Sequence, residues 1–194
     1  TGDALTRAEA LAAVKVGLEL AEREIARGVQ LIGLSEIGSG SDLAAEALLT
    51  ACAEEDSLDA GAAIALLAKI GGLETGAQLG VILGAAKGRA AVVLEGASAE
   101  AAALLALKMA PVTQGFFIAS LKSPEPYRQK LLEMLGLRAH IDFDLNLHQG
   151  CGAAVAMSLV KAGIHVLNDM KTFAESGVAV AQDGAGKFKQ KSSS

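Results

Sequence analysis

Apolar positions fall along this chain in two registers, long blocks with helical spacing and short solid runs, and the two alternate. Thr6-Arg7-Ala8-Glu9 has the form of a capping box, so a helix is predicted from there to about Arg27, with Gly28 just past its end. Val29–Leu34 (VQLIGL) is a short apolar run, as expected of a strand buried on both faces of a parallel sheet. Ser35–Asp42 reads as a loop, with Asp42 capping a helix over 43–53 and Ser57 capping another over 58–70. Gly71-Gly72 breaks the pattern before a helix over 73–87. Ala90–Leu94 is the clearest strand, followed by a helix over 99–109 that Ser98 would cap. Gly115–Ser120 is a third strand, and Pro126 opens a helix that runs to Leu135 and closes at Gly136. Ile141–Leu145 is a short fourth strand, and a long helix over 151–175 ends at Gly177.

This alternation predicts an α/β fold with a mainly parallel sheet flanked by helices. Ligands in such folds bind beyond the carboxyl ends of the strands. The loops after Leu34, Leu94 and Ala119 are therefore the places to look for a site. A single domain is expected over 1–182, with the polar stretch 183–194 a loose tail. Hydrophobic residues make up 52% of the 194 positions and aromatics 3%, so Ala, Leu, Val and Gly must fill the core and let helices pack closely. The formal net charge of −5, without a basic stripe, argues against a nucleic-acid partner. Lys69, Glu74, Lys87 and Lys108 interrupt the apolar stretches, so no membrane partner is expected. The opening Thr1-Gly2-Asp3 does not read as a signal peptide. Cys52 and Cys151 lie far apart, which suits a reduced, cytoplasmic setting.

Candidate chemistry gathers at the corners. Glu36 sits just past a strand in Ser35-Glu36-Ile37-Gly38-Ser39-Gly40, where glycines let backbone approach a ligand and N–H groups before a helix can hold an anion. The same residues also describe an ordinary turn with a solvated glutamate. Glu95-Gly96-Ala97-Ser98 is the equivalent corner after the second strand and reads as a turn with a Ser cap. Lys122, after the third strand, could meet a phosphate but fits a surface position better. His140, His148 and His165 lack a metal-site spacing, so no metal is expected. Cys151 is either a thiol activated at a helix N-terminus or a small buried side chain. Asn168, Asp169 and Thr172 are either a polar seam or simple surface.

Four segments together resemble the nicotinate-nucleotide–dimethylbenzimidazole phosphoribosyltransferase family: Gly28–Gly40 (GVQLIGLSEIGSG), Val92–Leu105 (VVLEGASAEAAALL), Phe117–Leu137 (FIASLKSPEPYRQKLLEMLGL) and Leu145–Val178 (LNLHQGCGAAVAMSLVKAGIHVLNDMKTFAESGV). The resemblance implies a Rossmann-like fold with a smaller helical part, working as a homodimer without a cofactor. It also implies nucleotide and azole substrates, with phosphoribosyl passing from nicotinate mononucleotide to dimethylbenzimidazole. Gln149 stands where the family has its general-base Glu, and Glu36 matches its second acidic position. Gly38, Gly40, Ser41, Gly150 and Gly152 fall where the nucleotide and its phosphate would be held. An amide hydrogen-bonds an azole but cannot take its proton. Ser41-Asp42 replaces the family's Asn-Thr, and the glycine-rich segment expected between Ala53 and Ser57 is missing. The family's N-terminal portion is also not matched. Three readings stay open: a transferase, a catalytically silent relative that binds a nucleotide or azole or serves as a structural partner, and a shortened relative that keeps the fold without the pocket. Whether Glu36 and Gln149 face one pocket discriminates among them.

Overall fold

The structure, a computed structural model, describes residues 2–37, 40–143 and 149–177. Compact units extend up to Leu159 and from Val160 onward. In chain order the elements are α1 (Arg7–Ala26), β1 (Leu31–Leu34), α2 (Ser41–Ala53), α3 (Ala60–Ile70), α4 (Leu73–Lys87), β2 (Ala91–Leu94) and α5 (Ala97–Met109). A 3-10 turn (Pro111–Phe116), β3 (Phe117–Ala119), α6 (Pro126–Met134) and α7 (Cys151–Asp169) follow. The expected tail lies outside the described residues.

The strands form a parallel sheet in the order β1-β2-β3. Leu34 pairs with Leu94, and Leu94 with Ala119, so all three strands end at one edge. Side chains alternate across a strand. Val92 and Leu94 enter the larger core with α4 and α5, whereas Val93 joins Ala153 and Ala156 of α7. Both faces of β2 are thus covered by helices, which accounts for its unbroken apolar run.

Small residues set the helix packing. Every residue of α5 from Ala97 to Ala106 is buried, and alanine methyls fill most of these positions. α1 and α4 approach through glycines: a Cβ on Gly17 would lie 1.9 Å from the Ala77 carbonyl oxygen, and one on Gly80 would lie 2.0 Å from that of Val14. The capping box forms at the start of α1, where the Glu9 N–H donates to Thr6 Oγ1 at 3.2 Å and the Thr6 N–H donates to Glu9 Oε2 at 2.7 Å.

Several local expectations change. Asp59 caps α3 in place of Ser57, accepting the Ala62 N–H at 2.7 Å. Asp42 lies in the first turn of α2, whose cap is Gly40. Ser98 lies inside α5 and is fully buried, because its hydroxyl is drawn to Gln78. β1 is shorter than expected, and the 3-10 turn takes the start of β3. The fourth strand reduces to one parallel bridge between Leu121 and Ile141, and residues 144–148 are outside those described. α7 ends at Asp169 rather than at 175. With 19 residues and mean hydropathy 1.3, it is by length and composition alone long and apolar enough to cross a membrane.

Candidate functional site

A cavity of about 370 Å³ opens beyond the carboxyl ends of the strands. It is lined by Glu36, Ile37, Ser41 and Asp42 after β1, by Gly96 and Ala97 after β2, by Glu125, Tyr127 and Arg128 after β3, and by Gln149. All three expected loops therefore contribute. Glu36 and Gln149 face the same cavity.

Glu36 is half-buried, and its Oε2 is fully enclosed without a hydrogen-bond partner among the described residues. Burial pushes its carboxyl above the usual carboxylate range, although the Ser98 N–H, Gln78, Ser41 and the Arg128 charge pull the other way. Gly96 permits the approach of this carboxylate. A Cβ there would lie 2.9 Å from Oε2, and its φ of +92° is one that glycine adopts without strain. Behind Glu36 a buried polar network holds the loop. Ser98 donates to Gln78 Oε1 at 2.6 Å, Gln78 Nε2 donates to the Ser35 carbonyl at 3.2 Å, and the Thr75 and Ser98 hydroxyls lie 3.1 Å apart.

Polar and charged side chains at the start of α6 complete the lining, backed by Glu100 of α5. Arg128 Nε and Nη2 donate to the two oxygens of Glu100 at 3.2 and 2.6 Å, and both residues are buried. Burial works against the Arg128 charge, but the Glu100 hydrogen bond and charge outweigh it and hold the guanidinium protonated. The Tyr127 hydroxyl donates to Asp42 Oδ1 at 2.7 Å and ties α6 to α2 across the lining. Burial and the Asp42 acceptor both raise the Tyr127 pKa, keeping the phenol neutral. Glu125 accepts a hydrogen bond from the Ser123 hydroxyl. Among the described lining residues, three carboxylates thus face one guanidinium that Glu100 already engages.

Gln149 is exposed and has a φ of +66°, followed by Gly150 at +90°. This left-handed pair turns the chain into α7. Glu95, 4% exposed, accepts the Gly152 N–H on Oε1 at 3.1 Å and the Ala153 N–H on Oε2 at 2.8 Å. The corner read as a plain turn therefore supplies the cap of a helix far along the chain.

The remaining expected residues divide. Ser41 lines the cavity and Gly40 precedes it as the α2 cap, whereas Gly38 lies outside the described residues. Gly152 donates its N–H to Glu95, and a Cβ on it would lie 2.8 Å from Leu121 Cδ1, so close packing explains the glycine. A phosphate at this corner would have to rely on Gly150. Cys151 is exposed and Cys52 buried, which corrects the expectation of a buried Cys151. Lys122 is exposed and pairs with Asp142 at 3.2 Å. In the second unit Asp169 meets His165 at 2.8 Å, and Thr172 accepts the Glu175 N–H at 3.3 Å, both at the surface. Among the described residues no His, Cys, Asp or Glu cluster could hold a metal. Glu125, Tyr127 and Arg128 were not singled out from sequence, and Glu95 was read only as part of a turn. The one available signal was Glu100, a charge inside an alanine-rich helix that requires a cationic partner.

Comparison with known proteins gives a consistent set of relatives. A family profile described as "Phosphoribosyltransferase" matches residues 1–60 and 51–178. The two segments meet near the stretch where the glycine-rich segment is missing. A nicotinate-nucleotide–dimethylbenzimidazole phosphoribosyltransferase of Citrifermentans bemidjiense is 35% identical over 91% of this chain and 59% of its own length. One from Dehalococcoides mccartyi is 35% identical over 93% of this chain and 60% of its own. The crystal structure of the enzyme so named from Thermus thermophilus superposes with a TM-score of 0.83 at 35% identity, covering 93% of this chain and 62% of that one. The chain thus spans about three fifths of the length of these relatives.

Proposed function

Because the chain belongs to the nicotinate-nucleotide–dimethylbenzimidazole phosphoribosyltransferase family, we propose that its cavity receives the azole acceptor in phosphoribosyl transfer from nicotinate mononucleotide, and that Glu36 takes the azole proton. The observation that carries this reading is that Glu36, half-buried and with its carboxyl pKa raised by that burial, lines the same cavity as Gln149. A carboxylate at a cavity wall can accept a hydrogen bond from an azole N–H. Desolvation raises its proton affinity toward the range where it works as a general base.

In the reaction the second azole nitrogen attacks C1′ of the ribose. The bond from C1′ to the nicotinate nitrogen breaks, and nicotinate leaves with that electron pair. The azole N–H proton passes to the solvent-reached side of the Glu36 carboxylate. Gln149 orients the azole through its amide but cannot accept the proton. The cavity volume of about 370 Å³ suits one small ligand. Its excess of carboxylates favours a neutral or cationic heterocycle and disfavours a phosphate in the same space. The phosphate is assigned instead to the corner backbone, at Gly40, Ser41 and Gly150, where the uncapped first turn of α2 offers N–H groups. Homodimerisation, a cytoplasmic setting and the absence of a cofactor belong to the same reading. The exposed apolar residues Leu159 and Leu167 of α7 support a protein partner.

Calorimetric titration of dimethylbenzimidazole into this chain and into Glu36→Gln tests the assignment. Binding by the parent, weakened at least tenfold in the variant, supports it. Equal affinity for the two chains removes Glu36 from the acceptor site.

A further inference from the structure

We infer that Glu95 is a positioning residue that fixes Gln149 opposite Glu36 by clamping the start of α7; this rests on the reading of the cavity given above. α7 has no side-chain cap of its own at its start, because the residue before Cys151 is Gly150. The first N–H groups of a helix need acceptors. Glu95 provides both of its oxygens to them, at 3.1 Å to Gly152 and 2.8 Å to Ala153, from the end of β2. The helix start is thereby fastened to the most buried strand of the sheet.

Two features of the corner make this clamp consequential. Gln149 is not glycine, yet it holds a φ of +66°. Such a conformation costs about 1–2 kcal/mol and persists only where the surroundings impose it. The residue after Glu95 is Gly96, whose missing side chain leaves room for the Glu36 carboxylate, 2.9 Å from where a Cβ would be. Glu95-Gly96 therefore touches both sides of the corner. Glu95 fastens the helix that follows Gln149, and Gly96 leaves room for the Glu36 carboxylate. The packing of Gly152 against Leu121 and Glu95 fixes the same corner from the helix side, where a Cβ would lie 2.8 and 3.1 Å from them.

The clamp also has a chemical consequence. The helix-start groups that could have held an anion through Gly152 and Ala153 are occupied by an internal carboxylate. Neutralising Glu95 would remove the charge that complements the positive end of α7.

The test compares the parent with Glu95→Gln and Glu95→Asp. Amide NMR spectra report Gln149, Gly150, Gly152 and Ala153, and calorimetry reports dimethylbenzimidazole binding. Glu95→Gln is expected to keep the overall spectrum while shifting these corner amides. It should speed Gly152 and Ala153 amide exchange at least tenfold and weaken azole binding at least tenfold. Glu95→Asp should restore part of both. Unchanged corner amides would overturn the inference, as would altered amides with unaltered azole affinity. If the parent itself binds no azole, the functional reading fails separately, and the Gln149 and Gly150 amides alone decide whether Glu95 sets the corner. If Glu95→Gln does not fold, Glu95→Asp carries the same comparison.

Discussion

Replacing Glu36 with Gln should make the protein more stable at neutral pH. The argument begins with the position of the carboxylate, half-buried and with one oxygen enclosed and unpartnered among the described residues. A buried acceptor left without a donor costs about 1–3 kcal/mol. Solvent reaches the rest of the group, so the low end applies and the expected gain is about 1 kcal/mol. Its pH dependence follows from linkage. The folded chain holds this proton more tightly than the unfolded chain, whose carboxyl titrates near the ordinary value of 4.5. The contribution of the group is fully present below that value and is lost as pH rises through the higher folded pKa. Glutamine has no proton to lose. The gap between Glu36→Gln and the parent should therefore be small below 4.5 and open to about 1 kcal/mol by pH 8. Urea unfolding at stepped pH values, with an unchanged denaturant slope, measures it. A variant less stable than the parent at pH 8, or a gap that does not vary with pH, would refute the reasoning.

Other expectations rest on packing and charge. Gly80→Ala should destabilise the fold by about 2 kcal/mol, because its methyl meets a Val14 backbone carbonyl that cannot swing away. Gly163→Ala, with open space around its Cβ, should gain about 0.5–1 kcal/mol, and thermal unfolding of the two variants should move in opposite directions. Arg128→Met should cost about 3–5 kcal/mol by leaving Glu100 buried without its cationic partner, and Glu100→Gln in the same chain should recover most of it on chemical denaturation. Thiol labelling of the native protein should modify exposed Cys151 first, since Cys52 is enclosed and burial pushes its thiol up to about 11.

Features encoded over a few residues were legible in the sequence. The Thr6–Glu9 capping box is complete within four positions, and the solid run Ala91–Leu94 announces a strand, whereas the two-face burial expected of Val29–Leu34 is not seen in β1, where Gly33 is exposed and Leu34 alone is buried. The three strand-end loops were identifiable because a parallel sheet brings them to one edge. What escaped was set by contacts between distant elements. Ser98 looks like a cap, but Gln78 draws it into the core, and the helix begins before it. Asp59 displaced Ser57 as a cap, although both precede the same apolar block. The resemblance to a known family raised the question whether Glu36 and Gln149 share a pocket, and both line one cavity, which no local pattern shows. Glu95 gave no local signal, because the helix it caps starts far along the chain, with Gly152 57 positions further on. The cluster of Tyr127, Asp42, Arg128 and Glu100 is likewise visible only when α2, α5 and α6 come together.

The central claim is that the cavity is an acceptor site whose proton acceptor is Glu36 and whose usual base position is Gln149. Single-turnover conversion of nicotinate mononucleotide and dimethylbenzimidazole tests it most directly, in the parent, Glu36→Gln, Gln149→Glu and the double variant. The account predicts slow transfer by the parent, loss of transfer with Glu36→Gln, and a faster reaction with Gln149→Glu that no longer requires Glu36. Transfer by the parent that survives Glu36→Gln, or no transfer by the parent or by Gln149→Glu, would contradict it.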